Sequence, residues 1–372
     1  MREDGGPVQA DRMCGPRLKP LMHRRTALAL LMTAPVARAA PSRRLAVRGM
    51  YANPKPFWDT CARLDQYGVN ALFVHGSGIS KELIERAAAE GARVFAEFPT
   101  LNGKGYIEDH PEAWPINEQG ERAPSATWFM GACPTEPRFR AFRMWQLGVL
   151  LTKFDVAGVF MDYVHWHAQF EDPNPVLPET CFCASCVAKF TKDAGIEIPA
   201  GPVPERARRI LAEHEPQWRT WRCRQLVEWA RLCRGVIRKH RPAALLGVYH
   251  CPWTDTDFAG ARRRILGIDV DMLAAEVDVF SPMVYHAIMG RPPAWVGENV
   301  EWWSQRLAGR ARLWPIVQAL DKPREVTPLE FDTVLRLGAT GAATGVMMFT
   351  VQAVAANKAK MEAMGRLYRS WS

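Results

Sequence analysis

Eight short apolar runs punctuate the chain, and each ends in polar residues: LAVRGMY (45–51), NALFVHG (70–76), ARVFAEF (92–98), VAGVFMDY (156–163), ALLGVYH (244–250), VDVFSPMVYH (277–286), RLWPIVQAL (312–320) and TGVMMFTVQ (344–352). Runs that are apolar on both alternations suit parallel strands covered on both faces. Between them, apolar residues recur at helical spacing over Phe57–Tyr67, over Lys81–Gly91 with Gly91 as a stop, and over Gln217–His240, which Pro242 ends. Asp332–Gly338 and Asn357–Ser370 complete the series. This alternation predicts an α/β fold, a single (β/α)₈ TIM barrel with long loops after strands 3 and 4. The alternative, an open doubly wound sheet, lacks a glycine-rich phosphate turn after its first strand.

The barrel gives the polar strand ends a meaning, because the reaction centre of this fold gathers where the strands finish. Those ends carry His75, Glu97, Asp162, His165, His250, Tyr285, His286, Gln318 and Gln352.

Composition changes the picture at the N-terminus. MHRRTALALLMTAPVARAAP, residues 22–41, places Arg24-Arg25 before a short apolar core and closes on Ala37-Arg38-Ala39. This pattern reads as a twin-arginine type signal peptide cleaved near Ala39, with Met22 as a possible true start. Residues 1–39 are therefore expected to be extension and signal, and 40–372 the barrel domain. Removing the former lowers the net charge from +9 to +5. The remainder has no basic run to track a phosphate backbone, which argues against a nucleic-acid partner. Nor does it contain the roughly 18-residue apolar run of a membrane span. An exported protein, periplasmic or secreted, is expected.

Cys181, Cys183 and Cys186 fall within six residues, and Cys133 lies in the loop after strand 3. Four thiolates so placed suit a structural tetrahedral zinc that joins the two loops. Disulfides, or a redox-active C-x-x-C, are the competing readings. Cys61, Cys223, Cys233 and Cys251 follow no such spacing and are expected to be small buried apolar residues.

The segment CFCASCVAKF (181–190), together with the earlier cysteine, resembles the cysteine motif of zinc-containing barrel-type β-galactosidases. That resemblance implies a structural metal and an acid/base carboxylate at the end of strand 4. HPEAWPINEQGERAP (110–124), ACPTEPRFRAF (132–142), GVFMDYVHW (158–166) and VDVFSPMVYHAIMGRPPAWV (277–296) resemble a broader group of glycoside-hydrolase-like barrel proteins. Where that group often has arginine and proline after the strand-4 aspartate, this chain has His165 and His167.

Glycosidic cleavage needs a proton donor and a second carboxylate. Asp162, delivered to the rim by a buried strand, is the leading candidate. Glu97 and Asp255 lead as its partner, ahead of Asp257, Glu171, Asp172 and Asp321. Tyr285, His286, His165, Gln318 and His75 are expected to line a carbohydrate site. Trp114, Trp128, Trp166 and Trp253 in the rim loops offer indole faces for sugar rings. Two rival functions use the same fold: a metal-dependent hydrolase built on the strand-end histidines, and a barrel that binds glycans without cleaving them.

Overall fold

The structure, a computed structural model, describes residues 43–126 and 129–372. The expected signal segment and Trp128 lie outside the described residues. Parallel strands β1 (Val47–Tyr51), β2 (Ala71–His75), β3 (Arg93–Pro99), β4 (Gly158–Asp162), β5 (Leu245–His250), β6 (Val279–Val284), β7 (Arg312–Leu313), β8 (Ile316–Gln318) and β9 (Gly345–Phe349) pair in a closed ring. β7 and β8 both pair with β6 and are one barrel strand interrupted at Pro315, which has no N–H for the ladder. The fold is an eight-stranded (β/α)₈ barrel, and each expected apolar run supplies one of its strands.

The helical spacing is matched at Lys81–Ala89, Glu215–His240, Pro328–Gly338 and Lys358–Ser370. Phe57–Tyr67 is instead a short helix, Lys55–Trp58, and a separate 3-10 turn, Asp65–Tyr67. Between them Cys61 is exposed with φ +61°, contrary to the expected burial. Cys223, Cys233 and Cys251 are buried as expected. Gln352 is not at a strand end. β9 stops at Phe349, Thr350 caps a helix over Val351–Ala355 by accepting from the Ala353 N–H, and Gln352 is exposed on that helix.

Strand periodicity decides what reaches the barrel interior, since alternate side chains face opposite sides. Phe73, Phe95, Phe160 and Trp314 meet there. Phe73 stacks on Phe95 with centroids 4.9 Å apart, and Phe160 meets Phe73 edge-on at 5.0 Å and Trp314 at 5.8 Å. Glycines on adjacent strands make room for the rings: a Cβ on Gly247 would lie 2.3 Å from Phe160, and one on Gly158 2.9 Å from Phe95. This aromatic layer closes the barrel below its mouth. Nearer the mouth, on the interior side, stand Tyr51, Glu97, Asp162, Tyr249 and Phe349, toward the ends of their strands. Two excursions, 100–136 and 163–183, follow β3 and β4 before their helices begin.

Candidate active site

In the β3–β4 ladder Glu97 pairs with Phe160, and Pro99 pairs with Asp162. The two carboxyls therefore stand on neighbouring strands, one pleat apart, on the interior side. Both are buried, Glu97 at 5% exposure and Asp162 at 8%. Burial, and then the nearby charges of Glu97 and Glu171, hold the Asp162 carboxyl well above its ordinary range. The Tyr163 N–H, 2.8 Å from Asp162 Oδ1, opposes this only in part. Glu97 is also raised by burial, but the Tyr51 hydroxyl donates to its Oε2 and favours the ionised form. Two carboxyls in one low-dielectric site hold a proton between them. Asp162 is raised the further of the two, since only Glu97 has the Tyr51 hydroxyl to favour its ionised form.

Asp162 opens onto a cleft at the barrel mouth. Its walls include Tyr51, Tyr163, Glu171, Asp172, Tyr285, Lys322 and Phe349. Tyr285 stacks on Phe349 at 4.7 Å, and Tyr51 packs on Phe349 at 5.0 Å. Glu97 is not among the lining residues and is reached through Tyr51. Asp162, Tyr163, Glu171 and Met283 also line a smaller chamber behind the cleft. Tyr163 stands at the junction, held in the left-handed region at φ +57° and stacked on Phe129 at 4.9 Å. A non-glycine residue in that region is held there by its surroundings, a feature common at functional sites.

Burial pushes Glu171 up to about 7. Its folded value lies above the ordinary 4.5, so its protonated form favours folding. That contribution is whole below about pH 4.5 and is lost as the pH rises through about 7. Calorimetric unfolding of the wild type and Glu171→Gln across this range is expected to give midpoints whose difference shifts in favour of the variant as pH rises. A pH-independent difference would contradict the assignment.

The histidines do not gather as a metal-hydrolase site requires. His167 accepts from the Gly131 N–H at Nδ1, 3.0 Å, and donates from Nε2 to the Pro124 carbonyl at 2.7 Å. Both ring nitrogens are thus engaged in holding the loop after β3. His165 donates from Nδ1 to the Trp166 carbonyl, and burial drops it to about 4, so it is neutral. His250 follows the inward-facing Tyr249, and its ring packs on Trp303 at 4.3 Å, toward the outer helices. His286 likewise follows Tyr285 and meets Glu330 at 2.7 Å. His75 is exposed and paired with Ser77. Among the described residues, the only group of three or more His, Cys, Asp or Glu side chains placed to share a metal ion is the cysteine cluster.

Other candidates are placed differently from expectation. Asp255 is exposed and paired with Arg262, away from the lining of the cleft, so it does not partner Asp162. Asp257 binds Thr254 and Arg291, and Asp321 binds Lys360. Trp166 is fully buried with its indole N–H on the Arg222 carbonyl, and Trp253 is buried between Phe170 and Phe258; neither presents a platform. Trp114 is half-buried with its N–H on the Ala123 carbonyl. The Gln318 amide is engaged with backbone at both ends. Its Oε1 accepts from the Ala287 and Ile288 N–H groups, while Nε2 donates to the Leu320 and Lys322 carbonyls. It holds together the two loops that bring Ile288, Leu320 and Lys322 to the cleft.

Tyr51, Tyr163, Tyr249, Lys322 and Phe349 are the site residues that sequence reasoning missed. A signal for two of them exists: Gly49-Met50-Tyr51 and Gly247-Val248-Tyr249 repeat a Gly-x-Tyr pattern. The glycine yields space to the aromatic floor, and the tyrosine comes up one layer higher on the same face.

The cysteines assemble as a compact cluster. Their sulfurs all lie within 4.8 Å of one another, with Cys133–Cys186 at 3.4 Å and Cys133–Cys183 at 3.9 Å. A disulfide requires about 2.05 Å, and all four are free. Four sulfurs about 2.3 Å from a tetrahedral metal stand about 3.8 Å apart, so the cluster fits a metal ion. The N–H groups of Ile116 and Cys186 point at the sulfurs of Cys181 and Cys183, at 3.3 and 3.4 Å, as suits thiolates. Cys183 also caps the helix Ala184–Ala194, and Phe182 N–H bonds the Ile116 carbonyl at 2.8 Å. The cluster therefore ties the loop after β3 to the one after β4.

No family model and no curated protein matches the chain. Solved structures do match. The PgaB (BpsB) glycoside hydrolase domain from Bordetella bronchiseptica aligns over 86% of this chain and 98% of its own, with a TM-score of 0.64 and 14% identity. A polyextremophilic β-galactosidase from the haloarchaeon Halorubrum lacusprofundi aligns over 87% of this chain and 58% of its own, with a TM-score of 0.63 and 13% identity. Gan42B, a GH42 β-galactosidase from G. stearothermophilus, aligns over 82% and 51%, with a TM-score of 0.58 and 13% identity. The chain thus spans nearly all of the first and little more than half of the galactosidases. What it shares with these glycoside hydrolases is the barrel.

Proposed function

We propose that the protein is a glycoside hydrolase that acts outside the cytosol on a polysaccharide or glycoconjugate. The observation that carries this reading is the buried Asp162 at the end of the fourth strand, its carboxyl raised by burial and by the charges of Glu97 and Glu171, under a cleft walled by tyrosines and Phe349. Asp162 donates its proton to the leaving oxygen. Glu171 lines the same cleft and is the second carboxylate, receiving the proton of the attacking water or adding directly to the anomeric carbon. Glu97, behind Tyr51, keeps the negative charge that holds the proton on Asp162. Water adds across the glycosidic C–O bond, and both sugars leave with hydroxyl ends. Tyr285 and Phe349 offer the apolar faces on which a sugar ring rests. Resemblance to glycoside hydrolases in fold supports the reading, and the N-terminal arginine pair and Ala-Arg-Ala site support export. The four cysteines hold zinc in a structural role.

The test is release of new reducing ends from a panel of polysaccharides and glycoconjugates by the purified protein. Cleavage of at least one polymer is expected. Retention of a glycan without any cleavage would replace this reading with that of a binding barrel.

A further inference from the structure

The cleft over Asp162 changes character from bottom to exit. At the bottom stand Asp162 and Tyr285, both buried, with Tyr51 and Phe349 packed beside them. The exit is formed by Pro173, Ile288, Leu320 and Pro323; the prolines are exposed and the other two half-buried. These four come from three loops, yet they make one wall. Gly290 packs so closely on Pro173 that an added Cβ would stand 3.1 Å from its ring. The Gln318 amide accepts from the Ile288 N–H at 3.1 Å and donates to the Leu320 carbonyl at 2.8 Å. The Leu320 N–H in turn donates to the Phe349 carbonyl at 3.0 Å, which joins the wall to the bottom of the cleft. Among the described residues that line the exit, only Asp172 and Lys322 carry polar side chains, and Asp172 already accepts from the Asn174 N–H at 2.8 Å. A second sugar ring presents hydroxyls around its edge, and burying them without partners is unfavourable. An apolar chain needs no partners, and covering it is favourable in proportion to its area. The cleft encloses about 730 Å³, in the range that surrounds a whole drug-sized molecule, so a ring at the bottom and a chain at the exit fit together.

We propose that the exit is the leaving-group site for an apolar alcohol, and that the substrate is an amphiphilic glycoconjugate, a glycan joined to a lipid-like chain. The inference rests on the glycosidase reading of the cleft and, within it, selects the glycoconjugate. Asp162 gives its proton to the oxygen shared by sugar and chain, and the bond from that oxygen to the anomeric carbon breaks. The hydroxyl of a water bonds to that carbon. The water's remaining proton, taken up by the carboxylates, replaces the one Asp162 gave. The free alcohol departs along Ile288, Leu320 and Pro323.

The experiment gives the purified protein methyl, octyl and triethylene-glycol glycosides of glucose, galactose, mannose and N-acetylglucosamine, in both anomers and below their micelle concentrations, beside a disaccharide of each sugar. The three alcohols differ little in acidity, so the comparison reads contacts with the chain. For a sugar that is turned over, kcat/KM is expected to be about 100-fold higher for the octyl than for the methyl glycoside, because each covered methylene adds to binding. The triethylene-glycol glycoside, as long but polar, should stay within about fivefold of the methyl one. In Ile288→Ser the octyl-to-methyl ratio should fall by about fivefold or more, since part of the apolar wall is gone. Equal rates for octyl and methyl glycosides, or faster turnover of the disaccharide than of the octyl glycoside, overturns the apolar leaving-group site. Where no glycoside is turned over, calorimetry reads binding of the same series. Affinity that rises with the alkyl chain then retains the site and counts against hydrolysis. Affinity that ignores the chain overturns the site, whatever the polymer panel shows, so the two readings fail separately.

Discussion

Asp162→Asn is expected to lower turnover by about 100- to 10,000-fold while glycan affinity changes little, because general acid catalysis contributes about that much. The amide keeps the shape of the side chain, and its oxygen can still accept from the Tyr163 N–H. It cannot deliver a proton. The decisive comparison uses substrates with leaving groups of different acidity. A substrate whose leaving oxygen needs no protonation should lose far less rate than a natural sugar leaving group. Asp255→Asn is the control, since Asp255 is exposed and paired with Arg262; turnover there should remain within about twofold, the range of an ordinary surface change. A large loss in the control together with a small loss in Asp162→Asn would reverse the assignment.

The second large effect concerns the cysteine cluster. Elemental analysis should find one zinc per chain, and removing it should lower stability before it alters chemistry. Where free zinc stands at about 1,000 times its dissociation constant, the bound metal contributes about 4 kcal/mol. Chelation should therefore depress the unfolding midpoint, and Cys186→Ser should produce the same depression without chelator. Proteolysis should then attack the excursions 100–136 and 163–183 first, because Cys133 lies in one, and Cys181 and Cys183 close the other. An unchanged midpoint after complete zinc removal would show that the thiols pack without needing a metal.

Much of this architecture was legible in the sequence because it depends on periodicity. Eight apolar runs predicted eight barrel strands, and the polar residue ending the fourth, Asp162, reached the cleft. The rest was decided by one-residue differences that hydropathy does not resolve. Tyr249 and His250 are neighbours, as are Tyr285 and His286; in each pair the tyrosine turns inward and the histidine outward, by the strand pleat in the first and just past the end of β6 in the second. His250 was expected at the site and Tyr249 was not, while Tyr285 and His286 looked equally suited. Tryptophans misled for another reason. A large ring beside a polar loop reads as a platform, but Trp166 is buried beneath helix-borne side chains from a distant segment, the Arg222 guanidinium and Trp221 among them. Asp255 was expected near Asp162 from strand order alone, and its pairing with Arg262 seven residues later removes it. Tyr51 was overlooked because its hydroxyl works on Glu97, a contact between residues 46 positions apart.

The double grip of Gln318 has a consequence for anyone redesigning this cleft. Because one amide clasps the turns beyond β6 and β8 together, neither turn is an interchangeable module. A graft that replaced only the segment bearing Ile288 would strand the Gln318 carboxamide oxygen and shift Lys322 as well. Transplanting both turns with the glutamine, as one cassette, is the unit by which the wall of this mouth can be exchanged.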